Sequence, residues 1–330
     1  MSKQFDVISL GAANFDVPVT NVPHDIMSRG GFHVDIRMAT GGDALNGAIS
    51  MASLGMRAAL MSYVGCDEFG DAVLERLTEA KVDTSLVIRD PEFMTTVAYL
   101  LIEESGERHI LKHGDAAVTR GLNASHVTDE ILSAARHLHY ASVNSNKYLD
   151  GEDIGDIFAR AKKLGLTTSM DAGYDREGIW LPKAEKALYN CDIFFPSYSE
   201  AVPIAEGRED LHEMTEFFRK YGLQYFGCKL GAEGAYLYDY TEEKEYRMGT
   251  LLRGDVVDTT GAGDAFFAGF LCAYLRGWSI EDCLALGSAQ SALIIESVGA
   301  NMGVRDLATA LQYAKDSGCI IEGAKKEGLI

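Results

Sequence analysis

Strand-like runs alternate with runs of helical period along most of this 330-residue chain, and that alternation limits its fold more than any other feature. "FDVISLG" (Phe5 to Gly11) reads as a buried strand, and "GDALNGAISMASLG" as a helix that stops on Gly55. "RAALMSYVG" follows as a strand, "FGDAVLERLTEA" as a helix and "TSLVIRD" as a strand. The second half places strands at "RHLHYASV", "LTTSMDAG", "CDIFFPS" and "LQYFGCKLG", with helical runs between them. Helices are then expected at Gly261 to Arg276, Ile280 to Glu296 and Val304 to Ser317. This βαβ succession predicts an α/β fold, a mostly parallel central sheet covered by helices on both faces. No linker, repeat or low-complexity tract divides the chain, so residues 1–330 read as one domain.

Two stretches break the pattern. Residues 15–40 hold prolines, a Gly-Gly turn and alternating residues, but no helix of length. Residues 93–118 read as a hairpin turning at Glu104 to Glu107. These insertions can pair into a small second sheet, a lid over the carboxyl ends of the parallel strands, where open α/β sheets bind ligands. The plainer reading is an antiparallel edge on the main sheet.

Charge narrows the partners. A net charge of −19 repels nucleic acid and anionic lipid headgroups, so neither is expected to bind. A polyphosphate must then be met locally, by backbone N–H groups, a few basic side chains and a metal ion. The six cysteines form no C-x-x-C pair and sit in apolar segments, which predicts free thiols in a reducing compartment. The N-terminal apolar run passes at once into Asn and Asp, a first strand rather than a signal peptide. No run reaches membrane-span length. A cytoplasmic protein is expected.

The stretch "VVDTTGAGDAFFAGFLCAYLRG" (Val256 to Gly277) sets small residues and one carboxylate at the mouth of a long apolar helix. Thr259 or Thr260 can cap that helix. The N–H groups of Gly261, Ala262 and Gly263 then point outward with the positive end of the helix dipole, a geometry that binds anions without any lysine. Asp264, in the first turn, can take the proton of a hydroxyl that attacks phosphorus. It can equally be a first-turn aspartate that stabilises the dipole.

A second pair, Gly41 and Gly42, precedes another helix with Asp43 and Asn46 three residues apart on one face. Asp43 as a cap and Asn46 as a solvent-facing side chain is the plainer alternative. Asp16, in "NFDV", falls just beyond the first strand. Without a cationic partner, these polar groups suit a neutral polyol. Absent motifs exclude other classes: there is no G-x-x-x-x-G-K-S/T, no H-R-D or D-F-G, no G-x-G-x-x-G after the first strand, and no H-E-x-x-H. His137 and His139 alternate along a strand and read as structural.

On these motifs the sequence resembles the ribokinase-like (PfkB) family of carbohydrate and nucleoside kinases over nearly its whole length. "GGDALNGAISMASLGMRAALMSYVGCDEFG" is similar to the family's N-terminal signature and "DTTGAGDAFFAGF" to its C-terminal one. The resemblance implies a ribokinase-like three-layer α/β/α sandwich with a small β-sheet lid. It implies Asp264 as catalytic base and the amides of Gly261, Ala262 and Gly263 as the anion hole for the transferred γ-phosphoryl group. Asp16, Gly42 and Asn46 match positions that hold sugar hydroxyls, with Asp43 beside them and Asn144 near a further sugar contact. "CKLGAEGAYL" is similar to the nucleotide border, which implicates Lys229, Gly231 and Gly234 in binding ATP. Relatives carry N-x-x-E, linked to Mg²⁺ and phosphate; here Glu200 is kept and Ser197 stands where asparagine is usual. Asp258, Thr260 and Gly299 match a monovalent-cation neighbourhood, which implies activation by K⁺. Sugar-phosphate kinases often have a lysine after the glycine pair, and Asp43 there implies an unphosphorylated sugar, ribose-like or a ketose. A nucleoside kinase and a non-catalytic sugar- or nucleotide-binding regulator are the rival readings. The lid of such members often joins a homodimer, which is the expected assembly.

Overall fold

A computed structural model describes residues 3–28, 31, 33–103, 108–113 and 121–329, and the alternation resolves there into three sheets. The first half of the chain supplies β1 (Phe5–Leu10), β2 (Asn14–Val22), β3 (Asp35–Ile36), β4 (Ala39–Gly41), β5 (Ala58–Met61), β6 (Tyr63–Gly65) and β7 (Ile88–Asp90). Next come β8 (Val97–Glu103), β9 (Arg108–His113), β10 (Ala135–Val143) and β11 (Thr167–Ala172). The last are β12 (Ile193–Phe194), β13 (Tyr225–Lys229), β14 (Ala235–Asp239) and β15 (Lys244–Met248).

The central sheet has the order β15-β14-β13-β12-β11-β10-β1-β5. It is parallel from β5 to β13, and only β14 and β15 run antiparallel at one edge. Successive residues of a strand face opposite sides, and this builds two cores. Phe194 packs on one side with Phe158 and Phe218, from the Glu152–Lys163 and Leu211–Arg219 helices. Ile193 and Phe195 pack on the other with Phe266 and Phe270 of the Ala262–Leu275 helix. Each fully buried Phe contributes about 1.5–3 kcal/mol through its burial. The Ala262–Leu275 helix is apolar nearly all round because it is sandwiched between the sheet and the Ile280–Ile295 helix. That is the three-layer arrangement expected.

The two pattern-breaking segments pair with each other. Strands β3, β2, β8 and β9 lie in that order with β4 also on β2, and the β2–β8 pairing is parallel. This separate sheet is the small second sheet expected, not an edge of the main sheet. Its hairpin turn at residues 104–107, and residues 114–118 of its second segment, lie outside the described residues. One expectation is corrected: "RAALMSYVG" is two strands. After Met61 the chain leaves the central sheet, the Ser62 carbonyl accepts from the Ile88 N–H, and β6 pairs with β7 in a separate two-stranded sheet.

All six cysteines are free, four of them buried. His137 bonds to Thr167 and Ser169, while His139 bonds to Ser169 and packs edge-on to Phe267. Burial, with Lys229 nearby, pushes His139 down to about 3, so it is a neutral structural residue. Among the described residues no helix is long and apolar enough to cross a membrane.

Candidate active site

The polar residues singled out from the sequence gather at the carboxyl ends of the parallel strands, under the lid. The Ala262–Leu275 helix starts from Gly261, whose left-handed φ of 78° and close approach to the Ala300 carbonyl leave no room for a side chain. A threonine cap was expected, and the structure corrects it: the Thr260 hydroxyl donates instead to Asp258 Oδ1, at 2.7 Å. Of the three amides expected to bind an anion, Ala262 N–H closes a weak turn on the Thr259 carbonyl at 3.3 Å.

Asp264 lies in the first turn of this helix and accepts a 2.9 Å hydrogen bond from Asn46 Nδ2. Burial is the main force that holds its carboxyl well above the ordinary range; Asp43 adds to it, while Asn46 and Lys229 oppose it. Asn46 and Asp43 belong to the Asp43–Ser53 helix, capped by Gly42. Burial raises Asp43 as well. Asp16 reaches across from β2 so closely over Gly41 that a Cβ there would sit 1.8 Å from its Oδ2, and burial lifts Asp16 to about 6.

The carboxylates of this pocket are not without a cation, which corrects the sequence reading. Asp16, Ala98 and Lys112 occupy one row across β2, β8 and β9, so they share the face of the lid that looks into the site. From there Lys112 draws the Asp16 and Asp43 carboxyls downward. The sequence shows no sign of this, because the row depends on lid pairing. Asn144, just past β10, has φ 81° and is buried, and neither polar atom of its side-chain amide has a partner. Most buried polar groups are hydrogen-bonded, so this amide stands out in the pocket.

On the side expected to border the nucleotide, Lys229 ends β13 and donates to Asp171 Oδ2 at 2.5 Å. A Cβ on Gly263 would stand 3.1 Å from its Nζ, so the ammonium flanks the expected anion hole. Burial pulls this ammonium down, but Asp171, Glu200 and Asp264 together hold it above its ordinary value. Asp171, lifted to about 7 by burial, was missed; its only sign is a carboxylate at the end of a parallel strand. Gly231 opens the turn between β13 and β14, and Gly234, at φ 92°, closes it. Ser197 begins the Tyr198–Ile204 helix and gives its N–H to Glu200 Oε2 at 2.9 Å, so serine and glutamate form a helix cap. Asp258, buried, accepts from Thr260 N–H and hydroxyl and from Gly299 N–H, which brings the three cation-neighbourhood residues together. Also missed were Asn301, Thr40 and Arg76, which bond behind Asn46.

Comparison with known proteins places this arrangement. The model of the pfkB family carbohydrate kinases matches residues 6–307. A protein of Archaeoglobus fulgidus named as an uncharacterized sugar kinase is 33% identical over 78% of this chain and 98% of its own. A nucleoside kinase of Methanothermobacter thermautotrophicus is 28% identical over 94% of this chain and 96% of its own. Arabidopsis thaliana ribokinase, solved with ribose and ATP, shares the fold at a TM-score of 0.78 and 22% identity, over 94% of this chain and 99% of that one. The chain belongs to the pfkB family of carbohydrate kinases and is an ATP-dependent sugar kinase.

Proposed function

We propose that this kinase phosphorylates a primary hydroxyl of an unphosphorylated small sugar, ribose-like or a ketose, with Asp264 as general base. The observation that carries this reading is the seat of Asp264. Its carboxylate sits at a helix N-terminus, beside the Lys229 ammonium and steadied by Asn46. The sugar oxygen forms a bond to the γ-phosphorus as the bond to the ADP oxygen breaks. The hydroxyl proton passes to Asp264, and the helix N-terminus with Lys229 meets the charge on the phosphoryl oxygens. Asp16, Asp43, Asn46 and Asn144 offer hydrogen bonds to the remaining hydroxyls. Two carboxylates at the sugar end disfavour a substrate phosphate there, even with Lys112 opposite.

Mg²⁺ bound with ATP would neutralise charge on the phosphates, and Glu200 is the residue that would help to hold it. Among the described residues no three His, Cys, Asp or Glu side chains cluster to hold a metal, which suits an ion carried mainly by phosphates and water with one carboxylate in support. Glu200 fits that support. The test is ADP release over a panel of free sugars, sugar phosphates and nucleosides. Turnover is expected with free sugars, and selective turnover of nucleosides would favour the kind of substrate named for the archaeal nucleoside kinase.

Two further properties belong to this reading. The buried Asp258, next to the anion hole, suits activation by a monovalent cation. K⁺ is expected to raise turnover over tetramethylammonium at equal ionic strength in wild type but not in Asp258→Asn; equal rates in wild type would contradict it. Ile36, Tyr99 and Leu111 expose apolar surface from one face of the lid, which fits self-association through the lids. Sedimentation is expected to give a dimer mass in wild type and a monomer mass in Tyr99→Asp/Leu111→Asp; a wild-type monomer would contradict it.

A further inference from the structure

The side chain of Asn46 can face Asp264 in two ways, and only one helps a base. With its N–H₂ toward Asp264 it stabilises the carboxylate; with its oxygen there it repels the charge and favours the protonated form. What selects between them lies behind Asn46, in residues given no role so far.

Asn301 is 1% exposed and sits inside the turn that the Met302 N–H closes on the Gly299 carbonyl. Its Nδ2 donates to the Thr40 carbonyl at 2.8 Å and to Asn46 Oδ1 at 3.0 Å, which uses both of its protons. The Thr40 hydroxyl, at 3.3 Å, is a weaker third neighbour. The other end of the amide accepts from Arg76 Nε at 3.3 Å, while Arg76 Nη2 donates to the Asn301 carbonyl at 3.1 Å. A backbone carbonyl only accepts and a guanidinium only donates. The Asn301 amide is therefore fixed from both ends, because a flipped amide would set oxygen against the Thr40 carbonyl and N–H₂ against the guanidinium.

We propose that Asn301, anchored by Arg76 and Thr40, is a positioning residue that sets the direction of the Asn46 amide, so that Asn46 always presents N–H to Asp264. The hydrogen bonds then run one way: Arg76 to Asn301, Asn301 to Asn46, Asn46 to Asp264. A donor-only guanidinium on the Glu68–Glu79 helix so determines what reaches a carboxylate at the start of the Ala262–Leu275 helix. The other charged groups that act on Asp264 are Asp43 from the sugar side, and Lys229 and Asp171 from β13 and β11. They set its background and have no part in this chain of bonds.

The inference rests on Asp264 as the base, but its test does not need a substrate. The full chain is labelled with ¹³C at the aspartate carboxyls and titrated by NMR without ligand, the Asp264 signal being the one lost in Asp264→Asn. In Asn301→Leu the Asp264 titration is expected to move upward by about one unit or more, since a hydrogen bond to a charged group is lost or reversed. Arg76→Met is expected to move it the same way by less, and Arg76→Lys, which still only donates, to return it towards wild type. If Asn301→Leu does not fold, the two Arg76 variants carry the test. An unmoved titration in the folded variants overturns the proposal. Undiminished ADP release by Asp264→Asn would instead overturn the base assignment and leave the amide direction standing.

Discussion

Lys229 and Asp171, 58 residues apart in sequence, form a buried ion pair that stands against the first turn of the Ala262–Leu275 helix. The pair holds an ammonium beside Gly263, in the proposed anion hole. A buried pair adds little net stability when intact, but removing one partner leaves the other uncompensated.

Lys229→Met is therefore expected to cost about 3 kcal/mol of stability as well as turnover. The double variant Lys229→Met/Asp171→Asn has no stranded charge and should recover most of the stability in urea unfolding. Its kcat should remain low, because the ammonium beside Gly263 is gone. A double variant with wild-type kcat would show that the pair serves folding alone.

Asp16 gives a prediction with a pH sign. Burial lifts its carboxyl from 3.8 to about 6, against the pull of Lys112 and with help from Asp43. The folded protein thus holds this proton more tightly than the unfolded chain. The resulting stability is present below about pH 4 and is lost as pH rises through about 6. Asp16→Asn avoids that loss, so its Tm should exceed that of wild type by about 2 °C or more near pH 8, with the gap closing near pH 4. The variant should also bind sugar less well, since a carboxylate accepts hydroxyl protons better than an amide. A Tm difference of the same size at both pH values would contradict this account.

The parts legible in the sequence are those with a local cause. Strand and helix periods revealed the central sheet, and prolines and a Gly-Gly turn marked the segments that form the lid. The T-G-A-G-D string pointed to the helix mouth because small residues there have few other uses. What escaped depends on distant pairings. Asp171 meets Lys229 only because β11, β12 and β13 are neighbours. Lys112 joins the acidic pocket only through the register of β8 with β9. Arg76, in the last turn of its helix, has the pattern of a solvent-facing arginine, yet its partner Asn301 lies 225 residues away. The threonine cap was misread for a related reason: the hydroxyl that suits a cap was taken by Asp258, and a left-handed glycine could begin the helix without it.

Asp264 is the centre of the account, and its substitution by asparagine tests it most directly. The variant keeps shape and volume and removes the negative charge together with the ability to take a proton. ADP release should be measured for wild type and Asp264→Asn with the free sugar that wild type turns over fastest. A fall in kcat of roughly 10²–10⁴, with KM little changed, is the predicted result. Near-normal turnover by Asp264→Asn would mean that another group, or none, takes the hydroxyl proton.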